Sequence, residues 1–72
     1  MTWREARIVE DGEGAIVVQT PYDAAFVEEL KAKVRVDERT WDAGDRVWII
    51  GDDHTATVRE LCEKYFGKVR VE

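Results

Sequence analysis

The segment Arg39-Thr40-Trp41-Asp42-Ala43-Gly44-Asp45-Arg46-Val47-Trp48-Ile49-Ile50 reads as two short strands around a polar turn. Asp and Gly supply the turn, and aromatic and β-branched residues flank it. A hairpin here commits the chain to a sheet, and the parity of its loop decides which residues meet the core. Side chains alternate between the two faces of a strand. A two-residue loop, Ala43 and Gly44, sets Trp41 opposite Arg46; a four-residue loop, Ala43 to Arg46, sets it opposite Trp48. Either way both tryptophans share a face with Arg39 and Ile50, and Val36, Thr40, Val47 and Ile49 take the other. A three-residue loop built on Gly44 would separate the tryptophans. With a shared face, two arrangements remain. The tryptophans, Arg39 and Arg46 form an open platform, or they lie under helices while Val47 and Ile49 point outward. Tryptophan in a small domain is more often core or core rim than platform. Trp48 is therefore expected as an anchor. Trp41, beside the turn, is expected to be the functional member, together with Arg39 and Arg46.

The rest of the chain supplies partners for this hairpin. Trp3 to Val9 reads as a strand, with Trp3 as a lid on the sheet or a weakly packed surface group. Asp11-Gly12 and Gly14 form a turn, and Ala15 to Thr20 is a second, β-branched strand that Pro21 ends. Asp23 is an N-cap candidate. Phe26, Val27, Leu30 and Val34 recur at helical spacing, which predicts a helix over 23–34. Val34 to Trp41 and Arg46 to Ile50 are the hairpin strands. Asp52 or Asp53 caps a second helix with the stripe Val58, Leu61, Cys62, Tyr65 and Phe66, and Glu60 and Lys64 form a surface ion pair on it. Gly67 suits a left-handed helix end, and residues 68–71 alternate as a last strand. The order is ββαββαβ. It predicts an α+β domain with two helices packed on one face of a mostly antiparallel sheet. The inner βαββαβ portion fits the split βαβ, ferredoxin-like motif. The first strand competes with that motif for a sheet edge, so strand order stays open.

Seventy-two residues make one domain, 1–72, which buries roughly 60–65% of its surface. A composition of 44% hydrophobic and 38% charged residues belongs to a folded chain rather than a disordered one. No apolar run approaches membrane-span length, and no signal-like segment opens the chain, so an intracellular, cytoplasmic protein is expected. One cysteine and one histidine leave no disulfide and no zinc set. The net charge of −5 opposes broad nucleic-acid affinity. It is uneven, however. Residues 1–30 hold two basic and seven acidic side chains, whereas residues 31–50 hold five basic (Lys31, Lys33, Arg35, Arg39, Arg46) and four acidic. A local basic patch on an acidic body follows.

Chemistry-bearing constellations are absent. Asp52, Asp53 and His54 could serve acid–base catalysis, but capping and solvation explain them better. Cys62 sits on the apolar stripe, where an inert buried thiol is expected. Gly12 and Gly14 lack the Lys-Ser/Thr of a phosphate loop. No catalytic residue, metal or cofactor is expected.

Thr20-Pro21-Tyr22-Asp23-Ala24-Ala25-Phe26-Val27-Glu28-Glu29-Leu30-Lys31, then Trp41-Asp42 and Val47-Trp48-Ile49 across a short turn, with Leu61 and Tyr65-Phe66 beyond, resembles the HARP (HepA-related protein) domain. That domain accompanies annealing helicases of the Snf2 type. The resemblance covers about residues 16–66 and departs between helix and hairpin, where Val34-Arg35-Val36-Asp37 replaces a Pro-Gly. It implies a module that recognises forked or single-strand/double-strand junction DNA, free-standing here. On matching positions the implied contacts are Lys31, Trp41 and Trp48. Arg35, Arg39 and Arg46 join them from the charge distribution alone. The rival expectation is a small acidic protein-interaction or adaptor module. It would act through its acidic face or through a sheet edge such as 68–71, self-association included.

Overall fold

The computed structural model describes residues 5–72. The part expected of Trp3 lies outside the described residues. Five strands and two helices follow in the order β1 (Glu5–Glu10), β2 (Ala15–Gln19), α1 (Ala24–Lys33), β3 (Arg39–Asp42), β4 (Val47–Gly51), α2 (Thr55–Phe66) and β5 (Lys68–Val71). This is the ββαββαβ order the sequence predicts. The strands form one mixed sheet in the order β3-β4-β2-β1-β5. Three pairings are antiparallel, and β1 with β5 is parallel.

The position of β1 resolves the open question of strand order. In the unit β2-α1-β3, β4 lies between the two strands, which is the split βαβ arrangement. The crossover through α2 carries the chain from β4 past β2 and β1 to the far edge. A helical crossover returns the next strand in the same direction, so β5 runs with β4. Both β4 and β1 oppose β2, and β5 is therefore parallel to β1. Thus β1 takes an interior place, and β3 and β5 are the edges.

Register explains the core. Ile8, Val18, Trp48 and Trp41 align across four strands, and Ile16, Ile50 and Arg39 align beside them. This is the face under the helices: Ala6, Ile8, Ile16, Val18 and Ile50 are fully buried against Phe26, Leu30, Val58 and Cys62. The opposite face carries half-buried Val9, Val17 and Ile49, and charges at its β1–β5 end. There Arg7 pairs with Glu72 at 2.6 Å, and Lys68 and Arg70 approach Glu5 at 3.8 and 4.0 Å.

Local chemistry sets the helix limits. Asp23 is extended, and its Oδ1 accepts the Phe26 N–H at 3.1 Å, satisfying one of the orphan donors of the first turn. Asp23→Ala should therefore lower stability by about 1 kcal/mol in urea denaturation. No change would mean that this cap bond contributes nothing. Helix α2 ends at Gly67, whose φ of 76° favours glycine. Burial pushes the Cys62 thiol up to about 12, with the Glu63 carboxylate adding to the shift. Cys62 is thus the inert core thiol expected of it.

Three local expectations need correction. The third strand begins at Arg39, not Val34. Val34 ends α1, donating its N–H to the Leu30 carbonyl at 2.9 Å, and a 3-10 turn over Val36–Glu38 then descends to the sheet. Val36 is consequently 74% exposed rather than on a sheet face. Neither Asp52 nor Asp53 caps α2, because both belong to a 3-10 turn, Asp52–His54, that reverses the chain after β4. Finally, Lys64 pairs across the two helices with Glu29, at 2.6 Å, rather than with Glu60. The Tyr65 hydroxyl donates to the same Glu29 oxygen at 2.7 Å. Lys64 and Tyr65 together hold the Glu29 carboxyl below the usual carboxylate range.

Candidate binding cleft at the edge hairpin

The hairpin loop has four residues. Asp42 pairs with Val47 and Trp41 with Trp48, so the even parity puts both tryptophans on one face. Asp42 organises the turn by accepting the N–H groups of Gly44 and Asp45 at 3.0 and 3.2 Å. Arg46 closes it in a left-handed conformation, φ 57°, where an arginine is held at a cost of about 1 kcal/mol. Arg46→Gly is expected to raise stability by up to about 0.5 kcal/mol, once the greater chain entropy of glycine offsets much of the relief. A urea midpoint lowered by the full cost of a glycine, about 0.5–1 kcal/mol, would show that the turn stores no strain.

Of the two arrangements open to a shared face, the tryptophans take the one toward the helices. Trp48, on the second strand in, is 8% exposed and belongs to the core. Trp41 lies on the same face but on edge strand β3, beyond the helical cover, and stays 50% exposed. The two rings meet at 5.2 Å between centroids with a 56° tilt, so Trp48 supports Trp41 from the core side.

A cleft of about 700 Å³ opens where α1 stops short of the hairpin. Its floor is Val18, Trp48 and Trp41. One wall is Val27 and Lys31, one helical turn apart on the flank of α1. The connection Thr20-Pro21-Tyr22 and Arg46 from the turn complete the rim. The volume lies in the range of small-ligand pockets. Among the described residues, neither Lys31 nor Arg46 makes an ion pair. The half-exposed Trp41 ring thus shares the cleft with two cations, a combination suited to a planar group carrying negative charge.

Four of the six residues singled out from the sequence meet here: Lys31, Trp41, Arg46 and Trp48. The other two do not line the cleft. Arg39 turns back to the end of α1, where its Nε donates to the Val34 carbonyl at 3.0 Å, tying helix to hairpin. Arg35 lies in the connection, pairing with Asp37 at 3.5 Å. Tyr22, Pro21 and Thr20 are cleft residues that charge and parity reasoning missed. Their place follows from β2 lying beside β4, with Val18 opposite Trp48. That adjacency brings the exit of β2 to the tryptophans.

A second, smaller cleft, about 380 Å³, lies at the other end of the hairpin and is lined by Asp37, Glu38, Asp52 and Asp53 among others. His54 is paired with Glu38, joining the two 3-10 turns. Among the described residues there is no group of three or more His, Cys, Asp or Glu able to hold a metal. No helix among them is long and apolar enough to cross a membrane. Compared with protein-family models, curated proteins and solved structures, the chain has no significant match to any.

Proposed function

We propose that the chain is a non-catalytic DNA-binding module of HARP type, taking single-stranded DNA at a fork or a single-strand/double-strand junction in the cleft beside the edge hairpin. One observation carries the reading: half-exposed Trp41, braced by Trp48, shares a cleft with Lys31 and Arg46, which make no ion pair among the described residues. Single-strand binders stack bases on aromatic rings and hold the backbone with Lys and Arg. An unpaired base reaches such a cleft; a base within a duplex does not. The acidic body works against duplex binding as well, since long phosphate tracks require many cations.

Fluorescence anisotropy with labelled forked, single-stranded and duplex DNA at low salt tests this. Fork and single strand should bind and duplex should bind more weakly. Absence of binding at tens of micromolar protein, or a preference for duplex, would sink the reading.

A second reading, protein interaction, is favoured by the outer edge of β5. Among the described residues that strand pairs with β1 and ends the strand order, the position at which a partner's strand adds to a sheet. Its outward Lys68 and Arg70 guard against indiscriminate pairing. Light scattering and a pull-down with and without DNA distinguish this reading from the first.

A further inference from the structure

The nucleic-acid reading does not say how much strand the cleft grips. Resting on that reading, we propose that the cleft has a footprint of two phosphates: one base stacked between Trp41 and Tyr22, with its flanking phosphates on Lys31 and Arg46.

The footprint follows from where the neighbouring cations are. Lys31 and Arg46 are the cations lining the cleft. The others on this side of the domain are engaged. Lys33 pairs with Glu29 at 3.8 Å and Arg35 with Asp37 at 3.5 Å, and Arg39 is bonded to the Val34 carbonyl. The chain neighbours of these residues are acidic rather than basic: Asp42 and Asp45 precede Arg46 in the turn, and Asp23 follows Tyr22 as the α1 cap. Among the described residues the cleft lining offers no third cation, so nucleotides added beyond it gain no further phosphate contact there.

Tyr22 supplies the second wall. It lines the cleft and is 86% exposed, the most exposed large apolar side chain of the described residues. Among those residues its hydroxyl makes no hydrogen bond and its ring makes no ring contact. Packing does not explain its place; a flat ligand held in the cleft beside Trp41 does. The neighbouring Pro21 fixes one backbone angle beside it, which limits the entropy lost when the ring closes on a base.

Oligothymidylates from two to sixteen nucleotides, titrated at several salt concentrations, test the footprint. Each phosphate contact on single-stranded DNA contributes about −0.7 to the slope of log affinity against log salt. The expected slope is thus about −1.4, and affinity should level off by about three nucleotides, apart from the statistical gain of extra sites. Arg46→Gln, which keeps the same backbone demand as arginine, should halve the slope to about −0.7. Tyr22→Ala should weaken binding by about 5- to 100-fold with an unchanged urea midpoint. Affinity that keeps rising to sixteen nucleotides with a slope steeper than about −3 would overturn the footprint and leave the nucleic-acid reading standing. Undiminished binding by Tyr22→Ala would overturn the base clamp. Failure of every oligonucleotide to bind would overturn the reading beneath, and the footprint with it.

Discussion

Phe26→Ala is expected to lose about 3–5 kcal/mol, a large share of the stability of a domain this size. Phe26 is fully buried where the two helices meet the sheet. Its ring packs edge-on against Tyr65 at 6.1 Å and tilted against Phe66 at 5.1 Å. Truncation opens a cavity beneath both helices, and a two-layer domain has no second core to compensate. A chain of this length holds roughly 4–11 kcal/mol in total. Urea denaturation followed by far-ultraviolet circular dichroism measures the loss, with Phe26→Leu as a milder companion expected to cost about 1 kcal/mol. A loss under about 1.5 kcal/mol for the alanine variant would contradict the packing of the helices around this ring.

Trp41→Ala is expected to behave in the opposite sense, sparing the fold and removing the function proposed for it. A stacked base contributes about 1–3 kcal/mol by alanine substitution, so affinity for forked or single-stranded DNA should fall about 5- to 150-fold. The stability cost should stay near 1 kcal/mol, because Trp41 is half exposed on an edge strand and loses chiefly its contact with Trp48. Trp41→Phe should recover most of the binding. Anisotropy titrations beside urea midpoints for the same proteins make the comparison. Full binding by a folded Trp41→Ala protein would move the site away from this cleft. Trp48→Ala cannot replace it in this role, since that ring belongs to the core and its loss lowers stability and binding together.

Much of the architecture could be read from local patterns. The N-cap at Asp23, the stop at Gly67, the stripe through Val58, Leu61, Cys62 and Phe66, and the last strand at 68–71 all depend on neighbours a few residues away. Helix capping, left-handed glycine and the two side-chain periods act at that range. Expectations failed where a segment had to serve the layers rather than itself. Val34-Arg35-Val36 alternates like a strand, yet the chain there must drop from helix to sheet, and it does so in a 3-10 turn. Asp52 and Asp53 look like caps, yet they are spent reversing the chain after β4.

The candidate site divides in the same way. Cations and aromatics around the hairpin were visible as residue types, and loop parity limited them to a small set of arrangements. Parity within a hairpin is a local property, so it could say that Trp41 and Trp48 share a face for an even loop. It could not say how far across the sheet the helices reach. That depends on β4 entering between β2 and β3, which puts β3 at the edge and leaves Trp41 uncovered while Trp48 is closed over. The same order brings Tyr22 to the cleft and draws Arg39 away to the end of α1. Strand order is set by long-range burial of Ile8, Val18 and Ile50 under two helices, a sum over the whole core, and no short stretch of the chain contains it.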